Sequence, residues 1–136
     1  MPLFTVSYRR DALGGHQEQL SRALALASVD TGYPDDDLFQ RFIALETDDF
    51  RVDPRYPGLP KDRTAKVILV EVMLSSGTPK SRKLKLIECL IERLSQIDVD
   101  PNDVMVFFLE TDRESASFGG GVTAPPLVMA ASETTP

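Results

Sequence analysis

The chain opens Met1-Pro2, and Pro2 is the first residue with evident chemical potential. Removal of Met1 leaves Pro2 with a free secondary amine. An α-amino group ordinarily titrates at about 7.7–8.0, close to working pH. An apolar pocket disfavours the charged form, so the amine becomes a neutral general base. Such a base can accept a proton and return it. With Met1 in place the nitrogen is an amide and has no useful basicity.

Asp35, Asp36 and Asp37 follow Pro34 and read first as solvated turn residues. A carboxylate placed beside Pro2 favours the charged amine. That pushes the amine towards acid chemistry and opposes the effect of burial. Other reactive types are sparse. His16 is the only histidine, and no cluster of Cys, His and carboxylates has metal spacing. Neither a metal nor another cofactor is expected. Cys89 lies beside a helical apolar stripe and reads as a small buried hydrophobe. Ser115 and Ser117 have no visible histidine partner for a triad. Gly119-Gly120-Gly121 is followed by no clear helix and is not a phosphate loop.

The elements that must position these residues follow from periodicity. LFTVSY over 3–8 alternates as a strand, with Phe4 and Val6 on one face and Leu3 and Thr5 on the other. RRDALGG reads as a loop. Leu20, Ala23, Leu24 and Ala27 recur at helical spacing between about Gly15 and Asp30. Gly32 and Pro34 end that helix. Residues 38–45 read as a second strand. Residues 47–65 are rich in Asp, Arg, Pro and Gly and suggest an ordered excursion or short hairpin. The apolar run VILVEVML at 67–74 suits a central strand covered on both faces. Thr78-Pro79 reads as an N-cap and first helical residue, followed by a stripe of Leu84, Ile87, Leu90, Ile91 and Leu94. VMVFFLE at 104–110 is the last long strand. The tail at 122–136 reads as a mobile arm, or as a strand docking on a neighbour.

These elements form an internal repeat, about 2–46 and 66–110, around the excursion. Neither half closes a core alone. The expected fold is α/β (α+β): two consecutive βαβ units forming one four-stranded mixed sheet, both helices on one face. The domain spans 1–121. The other sheet face and the strand edges lack cover, which predicts an oligomer.

Composition narrows the class. A chain of 136 residues fits one domain at about 150 residues per domain. Its 42% hydrophobic and 26% charged residues exclude collagen-like, disordered and coiled-coil chains. No apolar run reaches the ~18 residues of a membrane span, and the opening lacks a signal-peptide pattern. One cysteine precludes an intramolecular disulfide and points to a reducing, cytoplasmic setting. The net charge of -6 argues against a nucleic-acid partner; the strands also lack the basic-aromatic pattern of RNA readers.

Read together, these residues resemble the tautomerase superfamily, over nearly the whole chain. The resemblance is carried by Met1-Pro2 opening directly into a strand and by the doubled βαβ unit. It is carried also by Gly32-Tyr33-Pro34-Asp35-Asp36-Asp37-Leu38-Phe39-Gln40, by Asp53-Pro54-Arg55-Tyr56-Pro57-Gly58, and by Pro101-Asn102-Asp103-Val104 leading to Ser117-Phe118-Gly119. The chain is most similar to the fused-length, malonate semialdehyde decarboxylase-like members. The resemblance implies a homotrimer with sites near subunit interfaces and a catalytic Pro2. It implies that Asp37, just before the Phe39-Gln40 pair, stands at a catalytic aspartate position, and that Gln40 and Phe118 lie at the substrate. Phe118 would be an apolar wall beside the amine. The chain departs from the pattern at Ser76 and Thr78, where the decarboxylase carries two arginines. Leu38 and Ala116 stand where relatives have an arginine and a tryptophan. Arg9, Arg10 and Arg41 are the cations left to grip a substrate carboxylate.

The expected function is therefore a keto–enol tautomerase acting through Pro2 on small 2-oxo acids, their enols or unsaturated carboxylates. A decarboxylase or hydratase using Pro2 and Asp37 is the alternative within enzymes. A non-catalytic binding or assembly protein on the same fold is the alternative outside them, motivated by Ser76, Thr78 and Ala116.

Overall fold

A computed structural model describes residues 2–126; the larger part of the 122–136 tail lies outside the described residues. The chain runs β1 (Leu3–Arg9), α1 (Arg10–Leu13), α2 (Gln17–Asp30), β2 (Phe39–Leu45), β3 (Ile68–Ser75), α3 (Lys80–Ser95) and β4 (Val104–Thr111). The four strands form one mixed sheet in the order β2-β1-β3-β4. Within each repeat the strands are parallel; β1 and β3 meet antiparallel at the centre.

The core lies between one face of the sheet and the two long helices. Phe4, Val6 and Tyr8 of β1, and Ile68, Val70, Val72 and Leu74 of β3, are buried there. They pack with Leu20, Leu24 and Ala27 of α2 and Leu86, Leu90 and Leu94 of α3. Their alternation at every second residue of the strands is what a half-covered sheet requires. Arg93 of α3 holds Asp30 of α2 with both prongs of its guanidinium, at 2.8 and 3.2 Å. Gln40 ties β2 to α2: its Nε2 donates to the Ser21 carbonyl at 2.9 Å, and its Oε1 accepts from Ser21 Oγ.

Several local expectations change. RRDALGG is not a loop throughout; it contains α1, because Leu13 finds a place in the core. Pro79 itself is the N-cap of α3 in extended conformation, and Thr78 Oγ1 donates to the Ser75 carbonyl at 2.7 Å. The buried stripe of α3 is Leu86, Cys89, Leu90 and Leu94, and Leu84 is 51% exposed. Strand β3 is covered on one face only within the chain. Met73 is exposed, and Leu69 and Glu71 are half-buried. The excursion forms no strand; a single 3-10 turn (Thr47–Asp49) opens it.

The uncovered sheet face reads in rows across the strands. Phe39, Leu3, Met73 and Leu109 form one row, Arg41, Thr5, Glu71 and Phe107 the next, and Ile43, Ser7, Leu69 and Met105 a third. Phe39, Ile43, Met73, Phe107 and Leu109 are exposed there, Phe107 by 58%.

Candidate active site

Topology gathers one set of chemically capable residues at one end of the sheet. There β1 and β2 begin, β3 and β4 end, α2 finishes and α3 starts. Pro2 is buried at this end. Leu3 pairs with Phe39 on one side and Met73 on the other. One residue further along both ladders, Pro2 lies beside Leu38 and Leu74. Strands β1 and β3 are the two inner strands, so Pro2 stands at the end of an inner strand and not of an edge strand.

On the α2 side of this end stand Tyr33 and Asp37. Gly32, with φ of 106°, turns the chain out of α2. Tyr33 N–H then donates to the Ser28 carbonyl at 3.1 Å, and Asp37 N–H donates to the Pro34 carbonyl at 3.2 Å. The Arg82 guanidinium of α3 lies over the Tyr33 ring, 4.5 Å from its centroid. Burial pushes the Tyr33 hydroxyl above its ordinary value; Arg82 opposes that, and the Asp37 charge adds to it. Asp37, Tyr33 and Arg82 thus form one cluster, with a carboxylate, a phenol and a guanidinium.

On the β4 side, Ser76 N–H donates to the Thr111 carbonyl at 2.9 Å and carries the β3–β4 pairing past the sheet end. The chain then turns through a 3-10 turn (Arg113–Ser115). Arg113 Nη1 donates to Ser75 Oγ at 2.8 Å, its Nε donates to the Pro125 carbonyl, and its guanidinium lies 5.0 Å from the centre of the Phe118 ring. An open recess of 450 Å³ here is lined by Ser76, Asp112, Arg113, Glu114, Ala124 and Pro126. Phe118 itself is exposed.

The residues singled out from the sequence therefore separate. Pro2, Asp37 and Phe118 belong to this end of the sheet. Arg9 and Arg10 lie at the far end of β1, about 20 Å from Leu3 at ~3.3 Å per residue. Arg9 donates to the Phe50 carbonyl through Nε and Nη2, and Arg10 pairs with Glu46 at 2.8 Å. Arg41 lies on the uncovered sheet face and donates to Thr5 Oγ1 at 3.1 Å. Gln40 faces α2 and is occupied by Ser21. Tyr33, Arg82 and Arg113 are the groups at the Pro2 end that sequence reasoning missed. Tyr33 entered the sequence reading only within the motif at 32–40, and Arg82 carried no signal there. Arg113 had one signal, its place five residues before Phe118.

Among the described residues no three of His, Cys, Asp and Glu come together as a metal site. No helix of these residues is long and apolar enough to cross a membrane.

Comparison with known proteins bears on this arrangement. A family model described as "Tautomerase enzyme" matches residues 37–119. No curated protein sequence matches the chain. The crystal structures of wild-type, mutant and inactivated malonate semialdehyde decarboxylase are similar at 24% identity, with a TM-score of 0.79, covering 88% of this chain and 92% of that one. Native fused 4-OT is similar at 21% identity with a TM-score of 0.72, covering 90% and 95%. A further fused 4-OT, R7, solved as a wild-type asymmetric trimer, is similar at 19% identity with a TM-score of 0.70, covering 90% and 95%. At these identities the likeness is one of fold.

Proposed function

The chain belongs to the tautomerase family, and on that premise we propose that it is a cofactor-independent keto–enol tautomerase with Pro2, freed by removal of Met1, as its acid–base group. The observation that carries this reading is the place of Pro2, buried at the start of an inner strand beside Leu74. An amine freed in such a setting would be held towards its neutral form. Its lone pair takes the enol O–H proton, leaving an enolate. The enolate oxygen then forms the carbonyl as the carbon–carbon π pair takes a proton at the adjacent carbon from the ammonium so formed. The net change is one proton moved and no bond to the protein made, which one amine accomplishes alone.

The substrate class is a small 2-oxo acid, its enol or an unsaturated carboxylate. The working unit is a homotrimer, formed through the uncovered sheet face; the exposed Phe39, Met73, Phe107 and Leu109 support that arrangement, and trimeric relatives share the fold.

A second reading, decarboxylation or hydration, is favoured by one observation. The Asp37 carboxylate stands close enough to Tyr33 to act on its ionisation. This supports a carboxylate at the Pro2 end that would hold the amine charged as an acid and activate water.

The test is ketonisation of phenylenolpyruvate by the wild type and by Pro2→Ala, with intact mass establishing removal of Met1. The tautomerase reading expects wild-type turnover and a loss of about 10²-fold or more in the variant. No turnover by correctly processed wild type overturns it and moves the search to decarboxylation and hydration substrates. Retained Met1 overturns amine catalysis altogether.

A further inference from the structure

Resting on the tautomerase reading, we infer that Arg113, at the end of β4, is the group that receives the substrate carboxylate. Its geometry is that of a cation built to be used. Arg113 is half-buried, and its guanidinium is held from three directions: Ser75 Oγ at 2.8 Å, the Pro125 carbonyl, and the Phe118 ring at 5.0 Å. All three are neutral. Arg10, Arg55, Lys61, Lys83 and Arg93 each pair with a carboxylate. Arg9, Arg41, Arg51 and Arg63 are also held by neutral oxygens, but Arg113 is the one of this group anchored at the Pro2 end, through Ser75. Among the described residues Arg113 has its orientation fixed by neutral groups and no carboxylate paired with it. Nη2, and the second hydrogen of Nη1, remain to donate to an anion, and a guanidinium fork matches a carboxylate bidentately.

Its position meets the second requirement. The Ser75 that anchors it follows Leu74, which lies across the sheet from Pro2. Neighbouring positions on paired strands are about 5 Å apart, so the anchor and the amine occupy the same sheet end. Arg9 and Arg10, by contrast, are a strand's length away and already engaged. The recess that Arg113 lines is open and 450 Å³ in volume, room for a small oxo acid. Asp112 and Glu114 line it too, and both are exposed and solvated. They bias the recess against dianions and towards substrates with a single carboxylate.

The experiment compares phenylenolpyruvate with its neutral methyl ester in the wild type, Arg113→Leu and Arg113→Lys. Loss of a charged hydrogen-bonded contact is expected to raise KM for the acid about 10- to 100-fold and leave the ester unchanged. Arg113→Lys keeps the charge without the fork and is expected between the two. A purely structural role would lower acid and ester turnover together, and that outcome overturns the inference. So does an unchanged acid-to-ester preference in Arg113→Leu.

Calorimetric titration with phenylpyruvate separates this inference from the reading beneath it. Binding by the wild type and Pro2→Ala but not by Arg113→Leu supports Arg113 whether or not turnover is seen. If turnover then survives in Pro2→Ala, only the role of Pro2 fails. Equal binding by Arg113→Leu, or no binding by any of these proteins, overturns the role of Arg113.

Discussion

Asp103 accepts two hydrogen bonds from Thr64 at 2.6 Å, one from its backbone N–H and one from its hydroxyl. The carboxylate is 1% exposed and stands immediately before β4. It therefore clamps the end of the 47–65 excursion against the start of the last strand. A buried carboxylate is tolerated because its acceptors are used. Asp103→Ala is expected to cost about 2–3 kcal/mol in urea unfolding, since it removes two charge-assisted hydrogen bonds. Thr64→Val, which keeps the backbone donor, is expected to cost less. Equal stability of Asp103→Ala and wild type would refute the clamp.

That clamp also shows what the sequence could not display. The composition of residues 47–65 marked an ordered excursion, but its order comes from partners 39 to 41 positions away: Asp103 for Thr64, Asp100 for Lys61, and the Lys61 carbonyl for Asn102. Such pairs have no local period to read. The strands and long helices were legible because their signal is local alternation.

Helix α3 shows where local alternation misleads. Leu84 and Leu86 are two apart and cannot share a face. The apolar residues of α3 make two overlapping stripes, Leu84-Ile87-Ile91-Leu94 and Leu86-Leu90-Leu94, and the helix turns the second to the core. Leu86→Ala is expected to lose about 2–5 kcal/mol, and Leu84→Ala no more than about 0.5 kcal/mol, by the same urea measurement. The reverse order would place the core on the wrong face of α3.

The Asp30–Arg93 pair makes stability depend on pH. The Arg93 fork holds the Asp30 carboxyl below the usual carboxylate range. A folded-state value below the unfolded one stabilises the fold above about pH 4. That contribution fades as pH falls through the depressed value. Asp30→Asn should therefore lose stability at pH 7 and narrow its gap to wild type at pH 2–3. Thermal unfolding at the two pH values checks this; a gap that widens in acid would reverse the sign of the linkage.

Part of the candidate site was legible. Pro2 could be named from its position and Asp37 through the resemblance, and both stand at the same sheet end. The arginines could not, because seven residues of β1 decide which end of the sheet a cation serves. Arg9 and Arg10 follow the strand closely in sequence yet stand at its far end. Arg113 lies 111 residues after Pro2 and arrives at the same end only through the antiparallel meeting of β1 and β3.

The uncovered sheet face yields the last expectation. Monomers rarely leave a face with this many large apolar side chains open. Phe107 projects from it, 58% exposed, directly across from Glu71 on β3. Phe107→Lys places opposite charges on that pair, which a lone subunit tolerates. Buried between subunits, the same lysine would be a desolvated charge in an apolar contact, a cost of several kcal/mol. The wild type is thus expected to sediment as a trimer and Phe107→Lys as a smaller species with unchanged far-ultraviolet circular dichroism. A wild type that sediments as a monomer at micromolar concentration would remove the trimer from the proposal. A trimer that survives Phe107→Lys would move its interface away from this face.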